Sequence, residues 1–560
     1  MIKYSWLKTA ISLIVLAIVM SVTPGTPSTG IAVVEAQGPV RQQRAIVGNA
    51  VMPGVSPPVR LLARVEPQAV GVSPTEVNPR HANNMLPKVN WYNRTPIVQS
   101  SIQSTMRATT VITSFDGIDF LTGGAGEPPD TVGDVGPNHY VQAVNSSFAI
   151  FNKNGTMLTG PTNINALWSD GTPCQTQNQG DPIVLYDRLA GRWVISQFNF
   201  VDQNTPPFYQ CFAVSQTSDP TGAYYTYSFA VSNDVNVFND YGKIGVWPDG
   251  YYMGANEAGF TAYVFDRQNM LTGAAATFQK FNINSNFMLP SDLDGATAPP
   301  AGTPNHFYTM SGDNAMELWA FHVDWATSGN STFTKVSDLT SGAGFIYDVC
   351  PALPSDKNSL DCIPQPGTTQ ALDAIGEWPM YRFQYRNFGD HESLVGNFTT
   401  DMNAGAGTDH AGIHWFELRR TGTGNWSIFN EGNYAPDGNE RWLGSAAMDK
   451  KGNIAVGYSA SNGTDIFPSL RYATRNATDP AGQLGAETTL HAGAAAQTSS
   501  NRWGDYSSMN VDPVDDCTFW FTSEYLQSSA NGWRTRVGTF KIPSCDVVYT
   551  NWVYLPLVLK

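Results

Sequence analysis

Charge is what this chain has least of. Only 14% of its 560 residues are charged, and cations are the minority, 32 Lys and Arg against 47 Asp and Glu. The net charge of −15 argues against nucleic acid as a partner, because phosphate binding needs a surplus of Lys and Arg. It argues equally against an anionic membrane surface. Acidity of this kind keeps an exported protein soluble. Long apolar runs are also missing. The run Ile11 to Met20 is too short for a comfortable bilayer span, which takes about 20 residues, and no later segment is longer. No P-loop, dinucleotide fingerprint or serine nucleophile elbow occurs.

What is present points to an exported all-β protein. Aromatic residues reach 12%, with 51 Gly and 36 Pro, the composition of strands joined by tight turns. Lys3 and Lys8 flank the start of the apolar run. Val34-Glu35-Ala36 offers small residues at the −3 and −1 positions of a cleavage site, so residues 1–36 read as a signal peptide. An uncleaved N-terminal anchor is the alternative. The mature chain is expected to carry no transmembrane segment and to be secreted or held at a bacterial cell surface. The six cysteines, Cys174, Cys211, Cys350, Cys362, Cys517 and Cys545, form no CxxC pair, which argues against zinc. An even count behind a signal sequence favours disulfides, and sequence neighbours suggest Cys174–Cys211, Cys350–Cys362 and Cys517–Cys545.

Residues 37–108 read as a Pro-rich, poorly ordered linker with no sustained hydrophobic period. Beyond it a hairpin unit recurs. Gly180-Asp181-Pro182-Ile183-Val184-Leu185-Tyr186-Asp187 turns at Gly191 and returns as Trp193-Val194-Ile195-Ser196. Near the C-terminus a short motif comes back at intervals of 55 and 61 residues: Arg386-Asn387-Phe388-Gly389-Asp390, Arg441-Trp442-Leu443-Gly444-Ser445 and Arg502-Trp503-Gly504-Asp505. That spacing is the mark of a β-propeller. Inner strands are expected to start near positions 134, 181, 240, 303, 390, 445 and 505, giving seven blades, with six or eight as alternatives. The long stretch between 303 and 390 reads as a disulfide-pinned insertion. The last unit lacks a strand, which Val111 to Phe120 can supply, closing the ring and removing two exposed sheet edges. The propeller thus spans 109–545, followed by an apolar tail, 546–560.

Three segments carry a further similarity: Tyr381 through Val395, Arg441 through Asn453, and Arg502 through Trp520. They resemble a family of uncharacterised secreted bacterial β-propeller proteins. The resemblance covers roughly Val111 to Cys545 and implies a propeller but no established reaction, so no catalytic residue carries over. The blade pattern is also similar, at fold level, to sialidase-like propellers. The repeated Ser-x-Asp-x-Gly-x-x-Trp turn of that group is absent, which counts against a sialidase.

Residues just before each inner strand should approach one rim. Arg386, Arg441 and Arg502 could clamp a carboxylate there, with Asp181 and Asp505 beside them. The acids could serve a sialidase-like, glycan-directed hydrolase, with Tyr506 as nucleophile. The stronger reading is structural, because a residue recurring at one blade position does the same job each time. The singular element is Asp390-His391-Glu392, where Asp390 and Glu392 could share the channel side as an acid pair. Asp292-Leu293-Asp294-Gly295 resembles half of a calcium loop, which makes Asp292 and Asp294 candidate ligands for a structural calcium. A plain turn is the competing reading. Taken together, the sequence favours a binding or interaction module whose partner is a glycan or an extracellular protein.

Overall fold

The structure is a computed structural model that describes residues 44–69, 72, 74, 96–99, 109–235, 237–350, 361–403, 409–529 and 531–546. The signal peptide read at 1–36 and the tail from 547 lie outside the described residues, as does most of 70–108.

The second sheet shows how the sequence builds each unit. Gly180–Asp187 runs antiparallel to Arg192–Asn199, which pairs with Phe208–Ser215 and then Tyr224–Ser232. The first strand is buried along its whole length, so it reads as a near-continuous apolar run without alternation. Its turn is closed by Asp187, whose main-chain oxygen accepts from the Gly191 N–H, with Gly191 left-handed at φ 63°.

The same four-stranded meander recurs. The first strands are Val132–Val135, Gly180–Asp187, Asp240–Trp247, Leu289–Leu293, Met380–Asn387, Glu440–Met448 and Ser508–Val511. Each first strand touches the next, and Ser508–Val511 touches Val132–Val135 again. The sheets therefore stand around a closed ring with their first strands innermost, a β-propeller. In the fourth and fifth sheets the two inner strands pair directly in parallel, Asp292 opposite Gln384. Fully buried Trp193, Trp247, Trp415, Trp442, Trp503 and Trp533 contribute the largest apolar surfaces of the core.

Closure is achieved as expected. Val111–Asp119 pairs antiparallel to Arg534–Lys541, with Thr113 opposite Thr539 and Phe115 opposite Val537, so an N-terminal strand completes the last sheet. The three disulfides are Cys174–Cys211, Cys350–Cys362 and Cys517–Cys545. The second lies in the insertion between the fourth and fifth sheets, and the third ties the last hairpin to the short helical turn Pro543–Asp546.

Two expectations need correction. The described parts of 37–108 are not a disordered linker. Ile46–Val47 adds to the outer edge of the third sheet, Gly54–Val55 to the second, and Val98–Gln99, in parallel, to the fifth. Strands of two residues show no period, so the segment reads as a linker although it covers sheet edges. The inner strands of the fourth and fifth sheets also start earlier than 303 and 390. Asn305–Gly312 and Glu392–Asp401 are second strands. Leu289–Leu293 was hidden because Ser291 and Asp292 interrupt its apolar pattern.

The edge-covering role predicts the outcome of a deletion. Removing residues 44–62 bares the outer strands of the second and third sheets and discards the fully buried Val59. The expected result is a melting temperature lower by several degrees and self-association, followed by light scattering. A monomer of unchanged stability would show that the edges need no cover.

Candidate functional site

The sequence motif does not mark one structural position. Arg386 lies near the end of an inner strand, Arg441 at the start of another, and Arg502 in the loop ahead of Ser508–Val511. Each guanidinium has its own acid. Arg386 binds Asp516 through two nitrogens, at 2.7 and 2.9 Å. Arg441 donates to Glu487 at 3.0 Å and to Asp437 at 2.8 Å. Arg502 donates to both oxygens of Asp505 at 2.8 Å. All three side chains are buried, and their carboxylate partners differ: Asp516, Glu487 with Asp437, and Asp505.

Asp390 and Glu392 also part company. They flank the turn between the first and second strands of the fifth sheet, not the head of an inner strand. The Asp390 side chain is 85% exposed and contacts its neighbour His391 at 2.7 Å. Glu392 is buried, accepts from Arg420 at 2.6 and 2.9 Å, and receives the Tyr385 hydroxyl. Asp292 is gripped by Arg382, and Asp294 by Arg188 at 2.7 Å. Among the described residues no three acids, histidines or cysteines are grouped to hold a metal.

Asp181, Asp505, Arg502 and Tyr506 do meet, where the inner strands begin. The Asp505 N–H donates to Asp130 at 2.7 Å, Asn145 donates to Asp130 at 2.8 Å, and the Asp181 N–H donates to Asn145 at 2.9 Å. Tyr506 donates its hydroxyl to the Pro182 carbonyl at 3.0 Å, and Tyr241 to the Asp505 carbonyl at 3.2 Å. Between the two phenol rings lies the ammonium of Lys243, 3.5 Å from the Tyr241 centroid and 3.9 Å from that of Tyr506. It makes no hydrogen bond, is fully buried, and stands 4.0 Å from Asp181. Asp130, Asp181 and Tyr241 hold positive φ of 49°, 47° and 56°, so strained backbone gathers at this mouth.

Burial dominates the electrostatics here. It raises Asp181 to about 7 against the pull of Lys243, and raises Asp240 to about 6 with help from Asp505. Lys243 is lowered by desolvation and held up by Asp181. Burial raises Tyr506, which opposes a phenolate nucleophile. Asp240 is the half-buried member of this group.

Deeper in the ring sits a charge that sequence reading missed. Arg382, on the fifth inner strand, is salt-bridged to Asp134 of the first sheet at 3.3 Å and to Asp292 of the fourth. Asp134 accepts the Tyr186 N–H of the second sheet, and Asp292 the Val246 N–H of the third, both at 2.8 Å. The available signal was a cation flanked by apolar residues within a buried strand, Arg382 between Tyr381 and Phe383, and likewise Lys243 before Ile244.

No family model and no curated protein sequence matches the chain. Among solved structures it is similar to the WD40 domain of SCAP from fission yeast, at 9% identity over 74% of this chain and 95% of that one, TM-score 0.32. It is also similar to the α-L-arabinofuranosidase Arb93A of Fusarium graminearum, at 8% identity over 80% and 98%, TM-score 0.29. A third likeness is to the α-L-arabinanase of Cellvibrio cellulosa, at 12% identity over 64% and 94%, TM-score 0.27. Likeness at this level carries no statement about activity.

Asp181 holds its proton more tightly folded than unfolded, so its contribution to stability falls as pH climbs from about 4 through about 7. Asp181→Asn removes that slope. Chemical denaturation of the variant should show a shallower loss of stability across this window, and an unchanged profile would contradict the burial of an ionisable Asp181.

Proposed function

We propose that the chain is an exported, seven-bladed β-propeller that works as a binding module. Seven four-stranded meanders in cyclic contact support the blade count. Three disulfides fit an oxidising compartment, and among the described residues no helix is long and apolar enough to cross a membrane.

The observation that carries the binding reading is the internal pairing of the arginines. Arg386, Arg441 and Arg502 each hold a carboxylate of the protein itself, so a substrate acid would have to displace a buried ion pair. The channel carboxylates are likewise engaged by Arg382 and by main-chain N–H groups. A ring so occupied supports recognition on its outer surfaces better than chemistry at its centre.

A second reading rests on a specific feature. Asp181 raised to about 7 and Asp240 to about 6 are poised, near neutral pH, for acid–base work on a glycosidic bond. The two readings separate in one assay. Purified protein is incubated with a panel of polysaccharides while released reducing ends are followed, and retention on the same polysaccharides is scored by affinity electrophoresis. Retention without release is expected. Release that disappears in Asp240→Asn would replace the binding reading with the hydrolase.

A further inference from the structure

A cleft of about 390 Å³ opens between the third and fourth sheets, away from the ion pairs of the ring. Its walls come from Ile283–Asn286, which leave the outer strand of the third sheet, and from Thr309, Ser311, Gly312, Glu317, Trp319 and Lys335 of the fourth. Tyr347 closes one side. The volume falls in the range of small-molecule sites, roughly 300–1,000 Å³.

The lining combines a fixed aromatic plate with fixed polar groups. Trp319 is half-buried and stacks one face on Phe333, at 5.2 Å between centroids and 24° between planes. Its indole N–H is taken by Glu317 at 2.9 Å, which sets the ring's rotation. Asn286 donates to the Met310 carbonyl and to the Tyr347 hydroxyl, both at 3.0 Å. Both its donors are thus spent, leaving its carbonyl oxygen as an acceptor in a held orientation. Lys335 is balanced by Asp338 at 2.7 Å and Glu317 at 3.4 Å, so the cleft carries no surplus cation for an anionic ligand. Asn284 and Ser311 add exposed hydrogen-bonding groups at the rim.

We infer that this cleft binds a neutral glycan of one or two sugar rings. A sugar presents an apolar C–H face that suits the indole plate, and hydroxyls at its edge that suit pre-set amide, carboxylate and hydroxyl partners. A purely apolar ligand would cover the Asn286 carbonyl oxygen without giving it a donor, and a phosphate would find no free cation. The inference rests on the binding-module reading and gives it a ligand class and a place.

The test is titration of the full chain with maltose, cellobiose, xylobiose and chitobiose, followed by tryptophan fluorescence and by calorimetry. Folding of every variant is checked by circular dichroism. The expected result is millimolar or tighter binding of at least one disaccharide, weakened at least about tenfold by Trp319→Ala, retained in part by Trp319→Phe, and lost in Ser311→Trp, which fills the cleft. Binding that both Trp319→Ala and Ser311→Trp leave unchanged would overturn the cleft while the binding-module reading stands. No binding of any of the four sugars would overturn the glycan class. Cleavage of a bound disaccharide would overturn the binding-module reading itself.

Discussion

Arg382 is the interaction on which the centre of this molecule depends. A propeller brings the first strands of all its sheets to one axis, where apolar side chains alone would leave main-chain N–H groups without partners. Here Asp134 and Asp292 accept such groups from the neighbouring second and third sheets. Burying two carboxylates would be costly without a cation, and Arg382 supplies one from the fifth sheet to both. Four sheet contacts thus hang on one guanidinium. Gln384 extends the stitching to the seventh sheet through the Met509 carbonyl at 2.9 Å. A second knot at the mouth, Lys243 between Tyr241 and Tyr506, performs the same neutralisation for Asp181.

The periphery is governed by a different constraint. Each sheet ends in an outer strand with an open edge, and open edges invite association. The chain handles several of them with its own N-terminal region: short strands along the third, second and fifth sheets, then a full strand that closes the seventh. A segment without periodicity of its own can do this because the sheet it joins supplies the hydrogen-bonding pattern. The functional proposal follows from these two constraints together. The centre carries charges that serve the ring, and three of the outer edges are covered by the chain itself. That directs the proposed recognition to the clefts between neighbouring sheets, the one beside Trp319 among them.

Much of the architecture was legible in the sequence. Strongly apolar inner strands such as Ile183–Tyr186 and Ile244–Trp247 announced themselves, and so did the missing last strand that Val111 to Phe120 was expected to fill. The disulfide pairs followed from sequence proximity. The fourth and fifth units were misplaced because Leu289–Leu293 is short and polar, and because Phe388-Gly389-Asp390 forms a hairpin turn that imitates the entry of an inner strand. That same imitation made Arg386 look equivalent to Arg441 and Arg502. The candidate site was legible only in part. Asp181, Asp505, Arg502 and Tyr506 do gather, but which partner each acid takes depends on side chains brought from other sheets, Lys243 and Asp130 among them. Sequence spacing says nothing about such cross-ring pairings. The cleft beside Trp319 was not legible, since its walls come from two sheets and it contains no motif.

The most direct test of the account is the unfolding free energy of Arg382→Met compared with the triple variant that adds Asp134→Asn and Asp292→Asn. The single change strands two buried carboxylates and should cost about 3–5 kcal/mol. The triple variant should regain most of that loss, because each asparagine carbonyl can still accept the N–H of Tyr186 or Val246 and no charge remains to be compensated. A single variant as stable as the parent, or a triple variant no better than the single, would show that the ring does not depend on this ion network.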